Sequence, residues 1–213
     1  MTTRWSIPRM WEGETVAILA SGPSLKREDV DYLKGKCRVI AVNNSGIPTD
    51  CDGVRVEAMA PWADLLYAAD MKWWFHYKDR ALAFPGIKAT IRANLPWKEV
   101  FSLQQSDRRS FDERPTHLVS GGNSGFQALG LSIHTGVKRI ILLGYDMRDG
   151  AQRRRHWFGN HPAKLNSHGN YSMWINQFGK LAPIVAKKGI EVLNCSKDSA
   201  LRCFKRTELR VAL

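Results

Sequence analysis

Apolar runs of strand length alternate with stretches of helical period along most of the chain. Residues 15–20, TVAILA, are continuously apolar, as a strand covered on both faces requires. Residues 27–35, REDVDYLKG, place acids in a first turn and Lys-Gly at the end, the polarity a short helix prefers. RVIAV at 38–42 predicts the next strand, and GVRVEAM at 53–59 another. Residues 64–70, DLLYAAD, fit a strand or a helix and are read as a strand leading into a helix over 71–84; IKATIR at 87–92 follows as a strand. From 93 to 115 the chain is polar and contains proline, with QQSDRRSFDERP as its least ordered-looking part, so a mobile excursion is expected there.

The clearest unit comes next. THLVS reads as a short strand, GGNSG as a turn, FQALGLSIHTG as a helix and KRIILLGYD as a strand. Phe126, Leu129 and Ile133 recur at helical spacing, and Gly136 is placed to cap the helix. A helix over 171–188, a break at Gly189 and a strand over 190–194 repeat the pattern, with Pro183 expected to kink or divide that helix. Strand–loop–helix–strand units with short glycine turns imply a single doubly wound α/β domain over 1–213: a mostly parallel, Rossmann-like sheet with helices on both faces.

In such sheets ligands lie beyond the carboxyl ends of the strands. Four strand ends share a small, polar character: Ser21-Gly22-Pro23-Ser24, Asn43-Asn44-Ser45, Ser120-Gly121-Gly122-Asn123-Ser124-Gly125 and Gly144-Tyr145-Asp146. Glycines admit close backbone approach, helix-terminal N–H groups attract phosphate, and Asn or Ser side chains bond a base or ribose. Any one such loop alone reads as a turn or cap; their coincidence at one sheet edge predicts a nucleotide site. Neither GxGxxG nor GxxxxGK[ST] occurs, which disfavours a standard dinucleotide fingerprint and a Walker loop. Asp146, ending an apolar strand, is read as a cap or as a ligand-facing carboxylate, with Asp70 a weaker case.

Composition changes this picture in one respect. The 213 residues carry 32 Lys and Arg against 20 Asp and Glu, a net charge of +12 that favours anionic partners: nucleotides, phosphorylated sugars or nucleic acid. The four cysteines, Cys37, Cys51, Cys195 and Cys203, form no CxxC pair, so neither a zinc site nor a disulfide framework is expected, in keeping with a reducing cytoplasm. MTTRWSIPRMWEGE has no long apolar run, so neither a signal peptide nor a membrane anchor is expected.

The segment RRRHWFGNHPAKLNSHGNYSMW supplies groups for acid–base work. His156, His161 and His168 lie in an expected active-site loop over 150–170; each alone reads as a surface histidine, and the three together raise the case for a base near neutral pH. Arg153 to Arg155 either clamp a phosphate or keep the loop solvated, and Trp73, Trp74, Phe75 and Tyr77 either pack on the sheet or stack on a ligand.

VAILASGPSLKREDVDYLKGKCRVIAVNNS and SGGNSGFQALGLSIHTGVKRIILLGYDM resemble two blocks of the family-42 bacterial sialyltransferases, and also the archaeal hydroxymethylpterin diphosphokinases of the MptE-like group. The tail HWFGNHP…INQF…GIEVLNCSKDSALRCF resembles small phage and prophage proteins built on this core. The sialyltransferase resemblance implies a nucleotide site at Gly22, Pro23, Ser24, Asn43, Ser124 and Gly125, to which the loop reading adds Asn44, Ser120, Gly121, Asn123 and Asp146. It also implies a metal-independent transfer from a CMP- or other nucleotide-activated sugar to a small acceptor, with a loop histidine as base. His161 and His168 compete for that role, with His156 beside them; Arg155 and Tyr145 are the candidate phosphate ligands, and Tyr171 is the other nearby tyrosine. The diphosphokinase resemblance implies instead an ATP donor with Mg²⁺ on carboxylates such as Asp146. A third reading is a non-catalytic module that binds nucleotide or nucleic acid through its basic surface.

Overall fold

The computed structural model describes residues 1–51, 53–165 and 169–213. Its strands are β1 (Thr3–Arg4), β2 (Thr15–Leu19), β3 (Arg38–Val42), β4 (Thr49–Cys51), β5 (Val54–Val56), β6 (Leu65–Tyr67), β7 (Ile87–Thr90), β8 (Val100–Ser102), β9 (Gln104–Ser106), β10 (His117–Val119), β11 (Arg139–Leu143), β12 (Glu191–Asn194) and β13 (Lys205–Arg206). Its α-helices are α1 (Arg27–Leu33), α2 (Met71–His76), α3 (Lys78–Leu82), α4 (Ser124–His134), α5 (Tyr171–Lys187) and α6 (Leu209–Ala212). Among the described residues, nine strands form one sheet in the order β1-β8-β7-β6-β3-β2-β11-β12-β13. Every pairing within it is parallel. This is the doubly wound, Rossmann-like α/β architecture read from the sequence.

Alternation along the strands explains the two layers. Val16 and Ile18 of β2 face one core with Phe126, Leu129 and Ile133 of α4 and Phe178, Leu181 and Val185 of α5. Ala17 and Leu19 face the other with Val30 and Leu33 of α1 and with Trp73, Trp74 and Tyr77. Burying both faces is what makes TVAIL a continuous apolar run rather than an alternating one. From β2 the chain adds strands on one side through β3 and β6, then returns to place β11 on the other side. The order therefore reverses between β2 and β11, where a crevice opens beyond the strand ends.

In four places the secondary structure departs from the reading of the sequence. The stretch 93–115 carries β8, which joins the main sheet, and β9, which pairs with β10. Its charges looked like solvated loop but serve one another: the buried Asp112 carboxylate accepts from Ser106 Oγ at 2.6 Å and from Arg114 N, Nε and Nη2 at 3.0, 3.0 and 2.7 Å. The bonds from Arg114 hold that carboxyl well below the ordinary range. The helix expected over 71–84 breaks at Tyr77, whose buried hydroxyl shares a 2.7 Å hydrogen bond with Thr49 Oγ1. Pro183 leaves α5 continuous, because Gly179, whose carbonyl loses its helical donor there, is open to solvent. Residues 54–56 form a strand, but in an antiparallel hairpin with β4 outside the main sheet.

Candidate functional site

The floor is built where β2 and β11 end. Gly22 N donates to Gly144 O at 2.9 Å, which carries the pairing of the two strands into their loops. Ser24 then donates twice to Asp146, from N to Oδ1 at 3.0 Å and from Oγ to Oδ2 at 2.9 Å. A Cβ on Gly22 would run into the Asp146 carboxylate and the Gly144 carbonyl, so close approach, not turn geometry, demands glycine there. Burial pushes the Asp146 carboxyl up, opposed by the two bonds from Ser24. Asp146 is 6% exposed, and its first task is to clamp one loop to the other.

At the end of β3, Asn43 takes a left-handed φ of 52°, which Asn tolerates better than most residues. Asn43 lines the cleft, whereas Asn44 is fully buried with its Oδ1 accepting from Trp73 Nε1 at 2.8 Å. The turn before α4 supplies a third edge. The Asn123 side chain accepts from Phe126 N at 3.0 Å as N-cap, Ser124 and Gly125 line the cleft, and the first turn of α4 holds no acid to offset the helix dipole there. Gln127 braces this turn: its Nε2 donates to Ser120 O at 2.7 Å and its Oε1 accepts from Tyr67 Oη at 2.6 Å.

These edges enclose a cleft of about 800 Å³. The structure brings together Gly22, Asn43, Ser120, Asn123, Ser124, Gly125, Asp146, Arg155, His156 and His161 around it. Pro23, Ser24, Asn44 and Gly121 stand behind the lining: Pro23 lies against Gly150, Ser24 holds Asp146, and Gly121 lies against the Phe126 ring. His168 lies outside the described residues. Tyr145 is corrected. It is fully buried, its hydroxyl donates to Gly125 O at 3.0 Å, and burial alone drives its pKa up, so it is a core tyrosine that steadies α4. Tyr171 does line the cleft, with its hydroxyl on Asp149 Oδ1 at 2.7 Å and its pKa raised to about 12 by burial and by that bond.

The two described loop histidines differ. His156 stacks on Phe158 at 5.0 Å, and burial and then His161 lower its pKa to about 3, opposed by a hydrogen bond to the Ser21 backbone. The His161 ring lies 4.5 Å from that of His156, centroid to centroid. Burial lowers its pKa to about 4 against the attraction of Asp70, and its Nδ1 is buried with no hydrogen-bond partner. Both are neutral at pH 7. Ser21 Oγ and Asn43 Oδ1 are likewise buried without a partner. Three cleft residues thus carry polar atoms for which the described residues supply no bond.

Sequence reasoning missed the cations of this cleft: Lys72 and Arg92 beyond β6 and β7, and Arg148 beyond β11. Trp174 and Met147 were not assigned to it either, while Phe75 takes the ligand-facing one of its two readings; Met147 has a φ of 51°, a strained value for so bulky a residue. The rule that ligands gather at carboxyl strand ends would have found Lys72 and Arg92, had it been applied to charged ends as well as small polar ones. Of the aromatic cluster, Trp73, Trp74 and Tyr77 are buried, while Phe75 is 54% exposed. Among the described residues, no three or more His, Cys, Asp or Glu side chains are grouped to hold a metal ion, and no helix is long and apolar enough to cross a membrane.

No protein-family model matches the chain, and no curated protein matches it. Among solved structures, the sialyltransferase CstII from Campylobacter jejuni, determined in complex with a substrate analogue, cytidine-5'-monophosphate, aligns over 92% of this chain and 85% of its own. The TM-score is 0.50 and the identity 15%, a likeness of fold.

Proposed function

We propose that this chain, built on a sialyltransferase-like fold, is a nucleotide-dependent glycosyltransferase. The observation that carries the reading is the set of unpartnered atoms, Ser21 Oγ, Asn43 Oδ1 and His161 Nδ1, on one cleft at the strand-order reversal. A nucleotide-activated sugar lies over Gly22 and Asn43, with its phosphate toward the N-terminus of α4, Arg148 and Arg155. His161, neutral at pH 7, takes the proton of an acceptor hydroxyl. The acceptor oxygen forms the new bond to the anomeric carbon, and the bond from that carbon to the phosphate oxygen breaks with its electron pair. The α4 N–H groups and the two guanidinium groups stabilise the departing phosphate.

Both rings pack against Phe158, and His161 is favoured over His156 because His156 is hydrogen-bonded to the Ser21 backbone whereas His161 Nδ1 has no partner among the described residues. The Mg²⁺-dependent diphosphate transfer finds less support: Asp146 is committed to Ser24, and Asp70 accepts from Lys72 N at 2.7 Å as the cap of α2. The fold neighbour's ligand makes cytidine nucleotides the first to try. Thermal-shift titration with CMP, CDP, UDP, GDP, ADP and ATP tests the reading, since a ligand that binds only the folded state raises its stability by mass action. At least one nucleotide is expected to raise the Tm, and the rise to shrink in Asn43→Ala. No stabilisation by any of the six would overturn the proposal.

A further inference from the structure

The cleft has two charged flanks, and one nucleotide phosphate occupies only one. Arg148 and Arg155 stand beyond β11, and Arg155 Nε lies 4.0 Å from Asp149 Oδ1. Lys72 and Arg92 stand beyond β6 and β7. Arg92 Nε donates to Ala69 O at 2.8 Å, which holds its guanidinium over the end of β6. From β11 to β6 is three strand steps, about 14 Å at the usual spacing. Two phosphates sharing a bridging oxygen do not span that gap, so a second anionic group fits the second flank better than a longer phosphate chain does.

Its neighbours indicate which substrate carries that group. His161 feels the charges of Asp70 and His76, on the α2 side of the cleft. His161, which shares the cleft lining with Asp70, Lys72 and Arg92, is therefore near this flank, and a hydroxyl placed there is within the base's neighbourhood. Among the described residues neither Lys72 nor Arg92 makes an ion pair. The flank also presents Met71, 40% exposed, and Phe75, 54% exposed, whose ring lies 5.2 Å from Trp97. Apolar side chains left in water beside two unpaired cations describe a surface for a molecule with a ring and a negative charge.

We infer that the β6–β7 flank is the acceptor subsite, and that the acceptor carries a carboxylate or phosphate held by Lys72 and Arg92 beside a ring packed on Phe75. The inference rests on the glycosyltransferase reading for the word acceptor, while the anion subsite itself rests on the geometry. Calorimetric titration with phenyl phosphate, benzoate and the neutral phenyl β-glucoside tests it. One of the two anions is expected to bind about tenfold or more tightly than the neutral ring, the worth of one charge-assisted hydrogen bond; the tighter anion names the group. Lys72→Ala and Arg92→Ala are each expected to weaken the anion about tenfold and leave the neutral ring alone. Phe75→Ala weakens all three probes, and Arg148→Ala none. Lys72 is exposed on α2, so Lys72→Glu, which should abolish anion binding, keeps the test available if Arg92→Ala unfolds.

Equal binding of anionic and neutral probes overturns the inference. So does a loss that follows Arg148→Ala instead of Lys72→Ala. Titrations with CMP, UDP and ADP run alongside separate the two readings. Nucleotide binding with probes indifferent to Lys72 and Arg92 removes the acceptor assignment alone. Probe binding that depends on Lys72, with no nucleotide bound, removes the glycosyltransferase reading and with it the word acceptor, and leaves the anion subsite standing.

Discussion

The sheet has a hollow at each end, and the two share an inventory but not a state of charge. At the amino ends of β2, β11 and β12, a hollow of about 550 Å³ is lined by Arg9, Glu12, Phe111, Glu113, His134 and Lys188, among others. There, Arg9 is paired with Glu12 at 2.5 Å and Lys188 with Glu113 at 2.7 Å, His134 is stacked on Phe111 at 5.0 Å, and of the hollow's cations only Lys138 makes no ion pair among the described residues. At the carboxyl ends, Lys72, Arg92 and Arg148 form no such pair among the described residues. Each end also has a buried imidazole nitrogen without a partner, His134 Nε2 below and His161 Nδ1 above. A single orphaned histidine therefore does not mark a site. Three orphaned polar atoms on one cleft, beside a group of cations that the described residues leave unpaired and a glycine required by close approach, mark it better.

The sharpest way to break this contrast is at the glycines. Gly22→Ala drives a methyl group into Asp146 and the Gly144 carbonyl and is expected to cost about 3 kcal/mol, read as a lower midpoint in urea. Gly13→Ala, at the lower hollow, meets open space and only a φ of 71°, so about 1 kcal/mol is expected. Equal costs would mean that the upper loops relax and that the clamp is not tight.

A second contrast concerns the histidines. His161→Ala is expected to lower turnover about 100-fold or more, followed as release of the nucleotide that the thermal screen identifies. His134→Ala should leave turnover intact. Next in size, Arg148→Ala is expected to weaken nucleotide binding about tenfold by calorimetry, while Lys188→Ala, which removes a paired cation at the other end, leaves it unchanged.

A further contrast is in pH. Folding lowers the pKa of His156 to about 3 and of His161 to about 4, and also lowers that of His134. As pH falls from about 6.5 toward 4 the unfolded chain binds protons that these folded imidazoles refuse, so stability falls across that window. Asp146, whose pKa is raised, contributes with the opposite sign. The Tm is expected to drop between pH 7 and pH 5, with a shallower slope in His156→Phe. Turnover, if His161 is the base, rises through about pH 4 and is flat near neutrality.

What could be read from residues alone follows the length of each signal. β2, β3, β11, α4 and α5 each bury a long enough apolar pattern to announce themselves. β1 and β13 have two residues each, too few for any period, and exist only through pairing with distant partners. The small-residue loops were legible because Gly, Asn and Ser after a strand are conspicuous. Tyr145 was misjudged because the same loop turns its ring inward onto Phe178, 5.8 Å away, which no local pattern records. Lys72 and Arg92 were overlooked because a cation at a strand end looks the same whether it is solvated or waiting for a ligand.

The clamp between Ser24 and Asp146 joins residues 122 positions apart. Residues 1–138 can supply β2, β3 and β6, but the loop that closes the floor comes only with β11. A chain still being synthesised, or cut before that strand, has the glycines without the pocket. Competence to hold a ligand is thus acquired near the end of folding, and a bound nucleotide would report that both halves of the sheet have met.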